Sequence, residues 1–336
     1  MSKNALEALL APVAAILVVA LLLWLMLQGA SDYLVTLIAI VLLNAALAVS
    51  LTLTNGFTGL FSLGHPAFMT IGAYVAAILT FSARRKPAML PDLPAFLAGL
   101  ELPLLPAVAA AGVVAALIAI VVGFPVLRLR GHYLAVATLG LIVIVQNLAL
   151  NWDGITRGGA GLAGIPRLAS VWWAFGLLVL VVAVAWRIKF SSLGRAMFAT
   201  RENELAAECT GIDTVRMRLT AFVIGAVFAA MAGALFAHLI TVVTPKTYSV
   251  LLAFNLVVMV VIGGAGSIFG AIVAAAAITG LSEALRPAEE SLGLYGFSQV
   301  VVALSLILVL FFRPQGLFGN REPEIVRRLF SGRFFK

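Results

Sequence analysis

The chain has 336 residues, 63% of them hydrophobic and only 11% charged, with a mean hydropathy of +1.13. That is too apolar for a globule with a wetted surface, so the sequence describes an integral membrane protein. The net charge of +8 falls on basic residues scattered at the ends of apolar runs, which points to membrane topology and away from nucleic acid.

Long runs of Leu, Val, Ala, Ile, Phe and Gly lack the alternation of barrel strands. They select helices, which satisfy their own backbone hydrogen bonds in lipid, so the expected fold class is an all-α polytopic transmembrane bundle. Cutting at charges, Pro and Gly clusters places spans at residues 10–28, 33–54, 63–81, 103–124, 132–150, 170–187, 219–243, 249–264, 267–285 and 295–312. This makes about ten crossings, most of them near the roughly 20 residues that a bilayer demands, the eighth being short. The first run follows Lys3 but has spanning length and no clean small-x-small cleavage site, so it reads as an uncleaved span. With both termini cytoplasmic, 15 of the 22 basic residues lie inside. Arg84, Arg85 and Lys86 are the exception, placed outside by the same count. The transmembrane domain is expected over residues 1–312, with a cytoplasmic loop at 188–218 and a basic cytoplasmic tail at 313–336.

Two Gly-rich interruptions, NGFTGLFSLG at 55–64 and GGAGSIFG at 263–270, each open a helix rich in small residues. Broken helices at membrane depth are tolerated against protein or a water-filled cavity, so both are candidates for a translocation path. Asn55, Gly59, Ser62, Gly64, His65, Gly263, Gly264 and Gly266 carry that expectation, together with the span polar residues Asn44, Gln146, Asn147 and Asn255. Tight interhelical packing is the competing use of such glycines, and helix-to-helix hydrogen bonding that of such amides. One cysteine, Cys209, excludes an internal disulfide framework, and the dispersed His65, His132 and His238 form no metal cluster.

Between Arg187 and Arg218 lies a polar island with six basic and four acidic residues. Ser191 or Ser192 can cap a first short helix, and 201–210 has the composition of a second, ended by Gly211. On the second, Leu205, Cys209 and Ile212 share a stripe beside Arg201, Glu204 and Glu208. A topology signal needs only Lys and Arg, whereas Glu202, Glu204, Glu208 and Asp213 suit a docking surface of complementary charge. Arg216 and Arg218 are expected to anchor the next span at the cytoplasmic face.

The run GRAMFATRENELAAECTGID resembles the ATPase-coupling loop of ABC importer permeases, and in particular the high-affinity branched-chain amino acid permease family. In that family the loop has the form GRxxxAxRExExAAxxxGI, matched here by Gly194, Arg195, Ala199, Arg201, Glu202, Glu204, Ala206, Ala207, Gly211 and Ile212. NGFTGLFSLGHPAF at 55–68, RGHYLAVATLG at 130–140, GGAGLAGIP at 158–166, VVIGGAGSIFGAIVAAA and RPQGLFG at 313–319 are similar to further family segments, in family order. The order and spacing resemble those of the larger of the two permease subunits in such systems. Pro66, Cys209 and Thr210 depart from the family pattern.

The resemblance implies a multi-pass subunit of a bacterial inner membrane importer. Its partners would be a second related permease, two cytoplasmic ATPases and a periplasmic substrate-binding protein. ATP and Mg would be bound by those ATPases; this chain has no Gly-x-x-x-x-Gly-Lys-Ser/Thr loop, carries no cofactor of its own and is no enzyme. The implied cargo is a branched-chain amino acid, with urea, short amides and aromatic acids carried by similar architectures. Two other classes are weighed on the residues. An intramembrane hydrolase could use Ser62 and His65 but lacks an acidic orienter, and an ion-coupled carrier would place an acidic or basic residue within a span, where Glu283 comes nearest.

Overall fold

A computed structural model describes residues 3–129, 131–324 and 327 of the chain. Arg130 of the 130–140 segment and Arg328, Arg333 and Lys336 of the predicted tail lie outside the described residues. The described residues are mainly helical. Six helical segments are long and apolar enough to cross a membrane: residues Asp32–Phe57, Leu104–Val126, His132–Asn151, Val171–Lys189, Thr214–Ile240 and Ile268–Ser291. Shorter apolar helices, Val13–Leu27, His65–Thr80, Val250–Gly263 and Phe297–Phe312, occupy the remaining predicted positions.

In chain order the main helices are α1 (Lys3–Leu27), α2 (Asp32–Leu51), α3 (His65–Thr80), α4 (Leu104–Val126), α5 (His132–Asn151) and α6 (Val171–Lys189). They are followed by α7 (Ser192–Glu202), α8 (Glu204–Cys209), α9 (Thr214–Ile240), α10 (Val250–Gly263), α11 (Ile268–Leu292) and α12 (Phe297–Phe312). Several boundaries differ from the sequence expectation for local reasons. At the start of α9, Asp213 accepts a hydrogen bond from Arg216 N at 3.0 Å, capping the helix at Thr214 and not at residue 219. Past Leu51, α2 continues as a π-helical turn through Phe57, where Thr52 and Thr58 hydroxyls each donate to the carbonyl four residues back.

The centre of the bundle is α2, α3 and α9. Lipid is as apolar as a leucine side chain, so helices here associate through close packing and not through water exclusion. Gly72 on α3 and Gly233 on α9 supply the approach. A Cβ at Gly72 would lie 2.1 Å from Ala230 O, and one at Gly233 would lie 2.3 Å from Met69 O. Ala67, Ala73, Ala76 and Ala77 on α3 and Ala226, Ala229, Ala234 and Ala237 on α9 are all buried. On the periphery, α1 leaves Leu17, Leu21, Leu22 and Met26 exposed, the composition of a lipid-facing surface.

Successive connections alternate between two faces. On the far face, Leu162–Ala163 pairs antiparallel with Val242–Val243, joining the 158–166 loop to the segment after α9. Residues 82–102 lie there too, tied by Leu102 N to Leu79 O at 2.9 Å. Lys86 in this loop is buried, and its ammonium donates to Leu100 O and, at 3.1 Å, to Leu97 O. Burial lowers its pKa, an effect opposed by the Glu101 charge. The Arg84 to Lys86 cluster therefore lies on the face opposite the polar island, and one of its three charges is folded into the loop's own scaffold.

Because the α3–α9 crossing has no room for a side chain, Gly72→Val should destabilise the bundle by about 1–3 kcal/mol through overpacking. Gly140→Ala on α5, where nothing lies within 4 Å, is the neutral comparison. Thermal unfolding of the detergent-solubilised chain checks this, and equal midpoints for the two variants would contradict it.

Candidate coupling site

The polar island folds as two short helices on the near face. Ser191 Oγ accepts from Gly194 N at 3.2 Å and starts α7. The chain leaves the helix at Asn203 (φ −157°, ψ 108°), whose Oδ1 accepts from Ala206 N at 3.0 Å and opens α8. The predicted second helix at 201–210 is thereby corrected: Arg201 and Glu202 close α7, because Asn203 caps more favourably than it continues. At the other end, Gly211 adopts φ +84° and Ile212 N donates to Ala207 O at 3.1 Å, a Schellman closure that needs glycine.

This geometry sets what the island presents. Ala207 is buried, while Leu205 is 71% exposed. Glu202, Ala206, Glu208, Cys209, Gly211 and Asp213 are exposed around it, as is Arg195 on α7; Ile212 is half-buried. The island's base is fixed by charged contacts. Arg201 Nη1 donates to Gly56 O at 2.7 Å and to Asn320 Oδ1 at 3.2 Å. Arg218 Nη1 pairs with Glu204 Oε1 at 2.8 Å, both side chains being mostly shielded. Glu208 accepts from Thr214 Oγ1 at 2.9 Å, and Gly194 sits so close to α6 that a Cβ would lie 2.1 Å from Ile188 O. Arg216 pairs with Asp213 in the open, where such a bridge is worth little.

Both Gly-rich interruptions arrive at this same place. A Cβ at Gly56 would stand 1.7 Å from Ala265 O, so the end of α2 and the α10–α11 break touch backbone to backbone. Asn55 clamps its loop by donating to Ser62 O and accepting from Ser62 N, each at 3.1 Å. Gly59, at φ +71°, passes against Arg201, and Gly64 passes against Thr138, whose hydroxyl accepts from Leu63 N at 3.0 Å. Gly263 packs on Gly270, and Gly264 and Gly266 pack on Gly319 and Asn320.

His65 and Ser62 are both buried but have different partners. Ser50 Oγ donates to Gly225 O at 3.1 Å and lies 3.0 Å from His65 Nε2, so the ring proton belongs on Nε2. Ser62 Oγ instead accepts from Gly64 N at 3.3 Å. Among the span amides, Asn44 donates to Thr279 Oγ1 and Gln146 to Tyr248 O, each at 3.1 Å. Asn147 is exposed and donates to Val143 O on its own helix, and Asn255 is half-buried on α10.

A cavity of about 380 Å³ opens on the near face between Gly59, Leu60, Phe61, Leu129, Gly131, His132, Leu134, Glu204 and Arg218. Sequence reasoning missed the pairing of Arg218 with Glu204, which stand fourteen positions apart on two different helices. It also treated 313–322 as the start of a tail. Pro314, Gly316 and Gly319, close behind the last apolar run, were the available signal of a built turn.

A family model described as branched-chain amino acid transport system / permease component matches residues 32–312. The chain belongs to this family. It is 32% identical over 314 residues to the high-affinity branched-chain amino acid transport system permease protein LivM of Escherichia coli, covering 83% of this chain and 68% of that one. To LivH of the same organism it is 28% identical over 309 residues, covering 84% and 93%. A shorter match, 29% over 165 residues and 45% of this chain, is to the autoinducer 2 import system permease protein LsrC of Photorhabdus laumondii. No solved structure matches. The chain is thus an integral membrane permease component of a transport system, and the family match spans the bundle from α2 to the end of α12 with the island inside it.

Within this permease, removing the Asn203 cap should loosen α8 alone. Asn203→Ala is expected to cost about 1 kcal/mol locally, read as faster amide exchange at residues 204–207, while Asn203→Asp keeps the wild-type rate. Equal exchange in the two variants would show that the cap does not hold the helix.

Proposed function

We propose that this chain is the membrane-spanning subunit of an ATP-driven ABC importer, with α7 and α8 as the element that docks on a partner ATPase. One observation carries the reading: the α7–α8 pair exposes Glu202 at the end of α7 and Leu205 and Glu208 on the capped α8, while Arg201 of α7 and Glu204 of α8 bind the pair's base to α2 and α9. An exposed apolar side chain ringed by carboxylates is the form of a docking tip, and a fixed base lets force on that tip reach the bundle.

On this reading all ten apolar helices cross the inner membrane of a bacterium, with both termini and the island in the cytoplasm. A second related permease completes the pathway, two ATPases bind ATP and Mg, and a periplasmic binding protein delivers the solute. The solute is a branched-chain or related amino acid, as the names of the LivM and LivH relatives suggest. The span amides and hydroxyls are largely bonded to backbone carbonyls or to one another, which suits an aliphatic cargo whose selection rests with the receptor. ATP binding would displace α8 and bias the bundle between outward- and inward-facing packings of similar energy.

Reconstitution tests the proposal. Glu202→Arg reverses charge at the tip, and Gly211→Pro cannot adopt the positive φ that closes α8. Each should lower ATP-driven uptake by about tenfold or more, the scale on which a coupling of a few kcal/mol acts, while the solubilised chain keeps its thermal midpoint. Solute uptake by this chain in liposomes without any ATPase would overturn the reading and favour a secondary carrier.

A further inference from the structure

Residues 313–322 follow α12, yet they are laid across the near face. Leu317 N donates to Ile262 O at 2.8 Å and Phe318 N to Gly263 O at 3.2 Å, which satisfies carbonyls at the end of α10. Gly316, at φ +77°, and Gly319, at φ +58°, make the two turns that let the segment run against the α10–α11 break. Phe318 meets Phe269 edge to face, with centroids 5.4 Å apart.

The segment ends on an almost fully saturated carboxylate. Glu322 Oε1 receives Lys189 Nζ at 2.5 Å and Ile268 N at 2.8 Å, and Oε2 receives Ser267 Oγ and Phe269 N, each at 3.1 Å. Its side chain is 2% exposed and that of Lys189 8%. A carboxylate at the start of a 25-residue helix also meets the positive end of the helix dipole. The same Lys189 ammonium donates to Gly266 O at 2.6 Å, so α6, the break and the segment share one buried charge pair. Two residues earlier, Asn320 Oδ1 accepts from Arg201, whose guanidinium holds Gly56 O as well.

We propose that residues 313–322 are a positioning strut, with Glu322 as its fixed end and Asn320 as its contact to the coupling loop, that makes α7 and the start of α11 move as one body. The proposal rests on the reading of α7 and α8 as the ATPase-docking element. Its physical basis is the contrast between the two ends. Glu322 is desolvated and bound on both oxygens, so it cannot slide without leaving a buried charge unpaired. Asn320 contributes one acceptor to a guanidinium that already reaches α2, so displacement of Arg201 pulls on the strut and on α2 together.

The decisive variants are Asn320→Ala, which deletes the contact and leaves the Glu322–Lys189 pair intact, and Glu322→Gln, which removes the charge at the fixed end. In proteoliposomes holding the whole assembly, both should keep ATP hydrolysis while solute moved per ATP falls at least about fivefold, the lower range of ordinary site-to-site coupling. An unchanged ratio in Asn320→Ala overturns the strut. A second readout needs no ATPase: in the isolated chain, Glu322→Gln should raise amide exchange at 266–270 and at 199–203 together, and a rise confined to 266–270 also overturns the proposal. If exchange rises at both but Glu202→Arg leaves ATP-driven uptake unchanged, the docking role of α8 fails while the mechanical link stands.

Discussion

The α3–α9 crossing is the contact on which the rest of the bundle depends. In hydrocarbon a large apolar side chain gains nothing by turning inward, so the only helices that hold together firmly are those whose backbones approach closely. Gly72 and Gly233 remove the two side chains that would keep α3 and α9 apart, and buried alanines are frequent along both helices. Against that rigid pair the remaining helices are arranged as layers. α2 packs on α6, α9, α10 and α11, and α4 packs on the outer side of α3 and α9. Ser50, His65 and the Gly225 carbonyl then pin α2 to the pair by hydrogen bonds that a nonpolar surrounding strengthens.

The near face is organised by the opposite chemistry. There, backbone groups that lipid would not tolerate are exposed by the π turn of α2 and by the α10–α11 break, and charged side chains satisfy them. Arg201 serves the Gly56 carbonyl, Lys189 the Gly266 carbonyl and Glu322 the amides of Ile268 and Phe269. Each interruption of regular helix is thus answered by an ion. The polar island and the C-terminal segment are the source of those ions, which makes them structural parts of the same surface that presents Leu205.

How far this could be read in advance differs by feature. Apolar runs bounded by charge placed a helix at every expected span, because the hydrocarbon constraint is strong and leaves few alternatives. Both Gly-rich interruptions and the capped island were also visible, since Gly, Ser and Asp act locally through φ and short side-chain bonds. What sequence concealed was long-range pairing. Nothing in Glu322 alone predicts Lys189, 133 residues away, and nothing in the spacing of 55–64 and 263–270 says that Gly56 lies against Ala265. The misplaced start of α8 came from a nearer competition: periodicity carried the helix through Asn203, whose side chain instead terminates one helix and begins the next.

Cys209 lies exposed on the last turn of α8, and it is the chain's sole thiol. The permease therefore carries an intrinsic labelling position on the exposed side of α8, with no competing sulfhydryl to remove. An environment-sensitive fluorophore attached there would report burial of that side directly, in the native sequence and in real time.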